Sequence, residues 1–259
     1  MVIKITEKCS MGCSHCMNNA LPTGKHMSFD TFKDVIKFQK QYGGAFCIIS
    51  GGEPGEHPKF LEFLKYALQE LPGVYFTIAT NGTWMPNHYD DISNLVDVYD
   101  NVLFQVTTVD EYYPKKIDLN NSVYHLPNVI ICKEIENMYG QGRALTNNLE
   151  YHNKCSRCMN IRLIAHQVHT KDLGLLISML AVKGLFCTPT INIHGDIKLG
   201  ESDLCPVCSS IYKSEQEIMN DILNFHCHQC DHINKNLSKQ CLDIIGGKVK
   251  EWNTAMKQI

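Results

Sequence analysis

No apolar stretch in this chain is long enough to cross a bilayer. The best, Leu173 to Val182, meets Lys183 after ten residues, about half of the roughly 20 that a spanning helix needs. Charge of one sign is also lacking: 24 Lys+Arg stand against 27 Asp+Glu, a net −3. That balance gives no electrostatic reason for nucleic acid or an anionic membrane as the main partner. There is no linker-like stretch, no low-complexity segment and no clear internal repeat. The start, Met1-Val2-Ile3-Lys4, runs straight into a strand-like alternation without the shape of a signal peptide. With 44% hydrophobic and 20% charged residues, the expectation is a folded, soluble, cytoplasmic protein of one or two domains.

What the chain has in excess is cysteine, 13 of its 259 residues. The cytosol keeps thiols reduced, and a chain of this size needs no disulfide staples. The odd count also argues against a complete disulfide framework. Metal or redox chemistry is the better default.

The first half alternates short apolar runs with helical patterns. Val2 to Thr6 reads as a strand. Ser28 suits the N-cap of a helix through Tyr42, with Phe29, Phe32, Ile36 and Lys40 near one face. Gly43-Gly44 ends it, and Phe46 to Ile49 follows as a buried strand. Pro58 opens a second helix with Phe60, Leu61, Leu64 and Leu68 as its apolar face, broken by Pro72-Gly73. Val74 to Ala79, Val102 to Thr107 and Val129 to Ile131 read as further strands, with a helix over Asn87 to Val98. This alternation predicts an α/β fold whose parallel sheet has right-handed crossovers, open or closed as a barrel, with chemistry at the carboxyl ends of the strands. Beyond about Gly140 the pattern changes. A helix over Lys171 to Lys183, a hairpin over Thr190 to Leu199 and an amphipathic helix over Ser214 to Phe225 are expected. A boundary near residue 165 divides a core, 1–165, from a cysteine-rich domain, 166–259.

The strongest signal is the C-x3-C-x2-C loop of Cys9, Cys13 and Cys16, just after the first strand. Three thiolates in one loop can hold three corners of a cubane iron-sulfur cluster, where four would close it. The alternative is a zinc corner completed by His15 or His26, although zinc normally takes a second ligand pair some distance away. Three further stretches lie at strand ends: Gly51-Gly52-Glu53-Pro54, Thr80-Asn81-Gly82, and the run from Gln105 through Thr108 to Asp110. Glycines there let backbone approach a ligand, and a carboxylate or carbonyl can accept from an ammonium. Each stretch alone also reads as an ordinary turn or strand end.

Together, in this order, these segments resemble the radical SAM superfamily, whose motif is C-x3-C-x-aromatic-C, with His15 in the aromatic slot. The resemblance implies a partial (β/α)6 TIM-like barrel. It implies a [4Fe-4S] cluster on Cys9, Cys13 and Cys16, whose open iron chelates the amino and carboxylate groups of S-adenosylmethionine. Reduction by a donor such as flavodoxin or ferredoxin then yields a 5'-deoxyadenosyl radical. His15 is expected at the adenine. Gly51, Gly52, Glu53 and Pro54 match the family's GGEP segment, Asn81 its TNG, and Thr108 replaces the usual Ser of a ribose-contacting strand. Arg143 and Asp110 are nominated as catalytic residues near the substrate, each with a structural ion pair as the plainer alternative.

Of the other cysteines, Cys47 and Cys132 read as core residues. Cys205-x2-Cys208 and Cys227-x2-Cys230 have zinc-ribbon spacing. The run Tyr139-Gly140-Gln141-Gly142-Arg143-Ala144 resembles a GxGRA segment that precedes auxiliary iron-sulfur domains in peptide-modifying radical SAM enzymes. Cys187-x12-Gly200-x4-Cys205 satisfies the opening of a SPASM or Twitch extension. Counted from the hairpin glycine Gly195, the matching cysteine position instead falls on Gly200. The resemblance thus implies one auxiliary cluster on Cys187, Cys205, Cys227 and Cys230, with Cys155, Cys158, Cys208 and Cys241 available for a second. His226, His228 and His232 stand as possible substitutes, and zinc is the alternative metal. The expected reaction is oxidation or crosslinking of a ribosomally made peptide or protein side chain. A Twitch-type dehydrogenase of a sugar-like small molecule, and a non-catalytic metal-binding module, are the other readings.

Overall fold

The computed structural model describes residues 1–108, 111–133, 141–149, 172–181 and 188–225. The first half is five strands, β1 (Val2–Thr6), β2 (Phe46–Gly51), β3 (Tyr75–Thr80), β4 (Val102–Thr107) and β5 (Val129–Cys132), with helices α1 (Phe29–Tyr42), α2 (Phe60–Glu70) and α3 (Tyr89–Val98) between the first four. All neighbours among them pair in parallel, as expected. Each step from β1 to β5 moves to the same side, so right-handed crossovers carry the helices to one face of the sheet.

The two faces differ in chemistry because side chains alternate along each strand. Cys47, Ile49, Phe76, Ile78, Phe104 and Val106 are buried in the core under the helices. Phe32 of α1 stacks on Phe63 of α2 there, ring centroids 4.4 Å apart. The opposite face carries half-buried Lys4, Ser50, Thr77, Ala79, Gln105 and Thr107, polar or small groups that leave room above the sheet.

Helix ends follow local chemistry. Ser28 caps α1 by accepting from the Thr31 amide. Lys40 does not belong to the apolar face expected for it. The buried row is Phe32, Val35, Ile36, Phe38 and Gln39, and Lys40 reaches out to Glu70 at 3.6 Å. Pro58 does not open α2, which starts at Phe60 after a 3-10 turn over Pro54–Glu56.

A short helix α4 (Gly142–Thr146) and α5 (Leu173–Leu180) precede β6 (Pro189–Ile191), β7 (Asp196–Leu199) and β8 (Val207–Ser210), and α6 (Glu215–Asn224) follows. The hairpin β6–β7 turns at Gly195, φ +82°. Instead of standing apart it extends the same sheet: β6 pairs in parallel with β1, and the order is β5-β4-β3-β2-β1-β6-β7-β8. β8 was not legible in the sequence. Ser214 and Glu217 form a reciprocal capping box on α6. Cys47 is core, as expected, and burial pushes its thiol up to about 12. Cys132 is not. It is half-buried at the end of β5, where it accepts from Gln105 Nε2 at 3.6 Å. The proposed boundary at residue 165 lies outside the described residues.

Phe63 is fully buried between α1 and α2. Phe63→Ala is expected to cost about 3–5 kcal/mol, the usual range for a large aromatic lost from a packed core, read as a lower urea midpoint. An unchanged midpoint would contradict this packing.

Candidate metal and cofactor site

The loop bearing Cys9, Cys13 and Cys16 leaves β1 at its carboxyl end. Cys9 and Cys13 are buried and Cys16 is half-buried. Its base is closed by the Cys9 amide donating to the Leu21 carbonyl at 3.0 Å. Its outer turn is gripped by α4. The Arg143 guanidinium donates through Nε to the Cys13 carbonyl at 2.7 Å and through an Nη to the Ala20 carbonyl at 2.9 Å. The Arg143 amide donates to the Cys16 carbonyl at 2.9 Å, and Asn147 Nδ2 to that of Ser14 at 2.8 Å. A Cβ on Gly142, φ +55°, would stand 2.3 Å from the Cys16 carbonyl oxygen, so only glycine allows this approach.

The GGEP segment is built just as tightly. A Cβ on Gly51 would lie 2.2 Å from the Thr6 carbonyl oxygen, and one on Gly52 2.1 Å from that of Lys8. The Gly52 and Glu53 amides donate to those two carbonyls at 2.7 and 2.8 Å. Glu53 is buried and ties the ends of β2 and β3 together. It accepts from Thr80 Oγ1 at 2.5 Å, the Asn81 amide at 2.7 Å and the Gly55 amide at 3.2 Å. Burial outweighs these donors and raises its carboxyl to about 7. Asn81 Nδ2 points at Cys9 Sγ, 4.0 Å away.

These pieces enclose a cavity of about 310 Å³ lined by all three thiols, His15, Gly51, Gly52, Glu53 and Asn81. Burial pushes the Cys9 thiol up to about 11 and that of Cys13 to about 12, so binding a cation there must release protons. His15 is held neutral, lowered to about 4 by burial and then by Arg143. Its ring stacks on Tyr113 at 5.5 Å, and its Nδ1 is buried without a partner. In the tautomer protonated at Nε2, that unpartnered nitrogen accepts from a donor on a bound ligand, such as an adenine amino group. Three thiols arrayed around one cavity suit a multi-iron cluster.

The structure thus brings together Cys9, Cys13, Cys16, His15, Gly51, Gly52, Glu53 and Asn81. Pro54 follows as the first residue of the 3-10 turn. Thr108 is buried beside the cavity, its amide on the Cys132 carbonyl at 2.9 Å, and its neighbour Thr107 lines the wall instead. Arg143, nominated for substrate chemistry, spends its guanidinium on the loop carbonyls and is a positioning residue. Asp110, Cys155, Cys158, Cys187, Cys227, Cys230 and Cys241, and His226, His228 and His232, lie outside the described residues. Cys205 and Cys208 face different surroundings: Cys208 packs on the core, where burial and then the Asp221 charge raise its thiol, whereas Cys205 lies against Gly200. Asn18, Tyr113 and Glu201 also line the cavity, and no local motif marks them.

Because Glu53 has a folded value of about 7 against an ordinary 4.5, its burial costs nothing while it is protonated in both states. The penalty grows as pH rises from about 4.5 and is complete above about 7, at roughly 3 kcal/mol. Urea unfolding of the apo-protein at pH 5 and pH 8 should show wild type losing stability relative to Glu53→Gln by that order. Parallel pH profiles would contradict it. Gly142→Ala should cut the iron taken up on reconstitution, whereas Thr146→Ala, on the exposed side of the same helix, should not.

Residues 3–129 match the Radical SAM superfamily. The S-adenosylmethionine-dependent nucleotide dehydratase of a Thermoplasmatales archaeon is 27% identical over 138 residues, 53% of this chain and 48% of that protein. The antilisterial bacteriocin subtilosin biosynthesis protein AlbA of Bacillus subtilis is 31% identical over 83 residues, 32% of this chain and 18% of that protein. The chain therefore spans half or less of the length of these curated relatives. Among solved structures, BtrN in complex with AdoMet and 2-DOIA is similar with a TM-score of 0.58 at 13% identity, covering 92% of this chain and 86% of that one. Streptococcus suis SuiB bound to precursor peptide SuiA gives 0.53 at 13% identity, covering 87% and 66%. These two likenesses concern the fold. The sequence match covers residues 3–129, the stretch that carries the thiol loop, the GGEP segment and the strands around the cavity, and the matched family implies a [4Fe-4S] cluster and S-adenosylmethionine.

Proposed function

We propose that the protein reductively cleaves S-adenosylmethionine and abstracts hydrogen from a substrate carbon, oxidising or crosslinking a peptide or protein side chain. The observation that carries this is the single cavity shared by the three thiols, the GGE backbone and Asn81 at the carboxyl ends of β1, β2 and β3. Cys9, Cys13 and Cys16 would hold the cluster. When bound, it supplies the one electron, delivered by a flavodoxin or ferredoxin, that splits the sulfonium to a 5'-deoxyadenosyl radical. The chain's own work is placement. Arg143 and Gly142 fix the loop, Glu53 locks the β2 and β3 ends, and neutral His15 offers a buried acceptor for the adenine. Thr107, on the half-buried face of the sheet, lines the cavity and would form part of a floor for substrate.

A peptide is favoured by the relatives: AlbA is a bacteriocin biosynthesis protein, and SuiB was solved with its precursor peptide. Among the described residues the sheet ends at β5, with Ile130 exposed, and an extended chain can add to such an edge. The second reading, a dehydrogenase of a sugar-like molecule, draws on the small polar floor and on the near full-length likeness to BtrN. A non-catalytic zinc or iron-sulfur module would have no use for the complete cofactor cavity.

The reading extends to a partial-barrel core, 1–165, and a SPASM/Twitch-like domain, 166–259, with an auxiliary cluster on Cys187, Cys205, Cys227 and Cys230. Its support is local. A Cβ on Gly200 would lie 2.5 Å from Cys205 Sγ, so the Cys205 thiol fills the space of a side chain at the position where the hairpin calls for cysteine. Such a cluster would accept the electron left on the substrate after hydrogen abstraction, completing a two-electron oxidation.

Reduced enzyme with S-adenosylmethionine should release 5'-deoxyadenosine, and Cys13→Ala should release none; full turnover by that variant would overturn the radical reading. Anaerobic reconstitution should load more than four irons per chain, a threshold set by the one cubane of the core. About four irons with bound zinc would remove the auxiliary cluster and leave the core reading standing.

A further inference from the structure

The turn at the tip of β3 is fixed through both its backbone and its side chains. Thr80 Oγ1, which donates to Glu53, also accepts from the Gly82 amide and from Trp84 Nε1, each at 3.0 Å. The Tyr124 hydroxyl donates to the Gly82 carbonyl at 3.1 Å, and the Asn81 amide to Glu53 at 2.7 Å. The Asn81 side chain thus stands on a backbone tied at each neighbouring residue. Its own orientation is fixed as well. Asn81 Oδ1 accepts from the Thr83 amide at 3.0 Å and from Thr83 Oγ1 at 2.8 Å. A backbone N–H can only donate, so the atom facing it must be the side-chain oxygen, and the amide cannot be turned over. The amino group is left on the other side. Among the described residues its partner is Cys9 Sγ, 4.0 Å away.

Asn81 and Cys9 are both buried, so little water competes for that donor. The Met11 amide supplies Cys9 Sγ with a second N–H. Asn18, the other asparagine on the cavity wall, turns its Nδ2 instead to the Gly51 carbonyl at 3.0 Å. A neutral thiol at 4.0 Å is a weak acceptor. A thiolate is a stronger one, and the negative charge on a ligand sulfur grows when its cluster takes up an electron. Hydrogen bonds to the sulfurs are among the determinants of iron–sulfur potentials. We infer that Asn81, held in orientation by Thr83, donates an N–H···S hydrogen bond to the Cys9 thiolate of the cluster and raises the cluster's reduction potential. This rests on the reading that Cys9, Cys13 and Cys16 hold that cluster. The electron comes from the same flavodoxin or ferredoxin; Asn81 transfers no proton and stabilises the charge that arrives.

A redox titration of the reconstituted protein without S-adenosylmethionine tests it, followed by electron paramagnetic resonance on the signal that Cys13→Ala removes. Asn81→Ser keeps an oxygen that accepts from the Thr83 amide but has no N–H to offer the thiolate. Its midpoint should fall, the reduction equilibrium shifting about three- to tenfold, where tenfold is about 59 mV for one electron. Asn81→Asp keeps the size and the turn, sets a carboxylate against the thiolate and should lower the midpoint further. A midpoint in Asn81→Ser equal to that of wild type would overturn the inference. Wild-type protein carrying ¹⁵N in its asparagine side-chain amides gives a second readout that needs no variant to fold. Spin-echo modulation of the reduced cluster should show coupling to that nitrogen before any cofactor is added. Absence of the coupling, or its appearance only with S-adenosylmethionine present, would also overturn the inference. A wild-type protein with no signal that Cys13→Ala removes would instead overturn the cluster reading beneath it.

Discussion

Everything at this site depends on how closely the backbone after β2 lies against the backbone leaving β1. Gly51 and Gly52 press against the Thr6 and Lys8 carbonyls at distances that leave no room for a Cβ. Two amide-to-carbonyl bonds seal that contact. It prolongs the β1–β2 pairing past the strands' formal ends, so the thiol loop emerges directly above the β2 and β3 tips. Without it Cys9 would not lie next to Asn81, nor Glu53 within reach of Thr80. Van der Waals exclusion at two residues therefore sets the shape of a cavity that more than a dozen side chains line.

The second constraint is charge in a place with little water. Two buried thiols, a buried carboxyl near 7 and a neutral histidine surround one cavity. Desolvation is the largest cause in each, and it disfavours the charged form every time. Such a set is poorly matched to an empty site and well matched to a cationic metal centre and a cationic cofactor, which restore favourable partners for thiolate and carboxylate. Lys4 works on the other side of this ledger. Lowered to about 8 by burial, it donates to neutral oxygens, Asn18 Oδ1 and the Glu201 carbonyl, and serves as a clip between the cluster loop and the last hairpin.

Much of this was legible in the sequence because it is local. The spacing of Cys9, Cys13 and Cys16, the paired glycines before Glu53, the strand–helix alternation and the Ser28 and Ser214 caps each depend on residues a few positions apart. What was not legible joins distant segments. Arg143 meets Cys13 across 130 positions and Lys4 meets Glu201 across 197. No local pattern distinguishes an arginine that grips carbonyls from one that binds substrate. The pairing of β6 with β1 was hidden for the same reason: a short strand such as Pro189–Ile191 carries no mark of its partner. Cys132 was misplaced because one residue of register decides whether a thiol faces the core or the open side.

The central claim is that Cys9, Cys13 and Cys16 hold a cluster whose remaining iron is bound by S-adenosylmethionine itself. Electron–nuclear double resonance on the reduced, reconstituted protein tests this directly, using cofactor carrying ¹⁵N in its amino group and ¹⁷O in its carboxylate. The account predicts hyperfine couplings to both labels, together with a change in the cluster's spectrum when the cofactor is added. A spectrum without those couplings, indifferent to the cofactor, would mean a closed four-ligand cluster and would contradict the account.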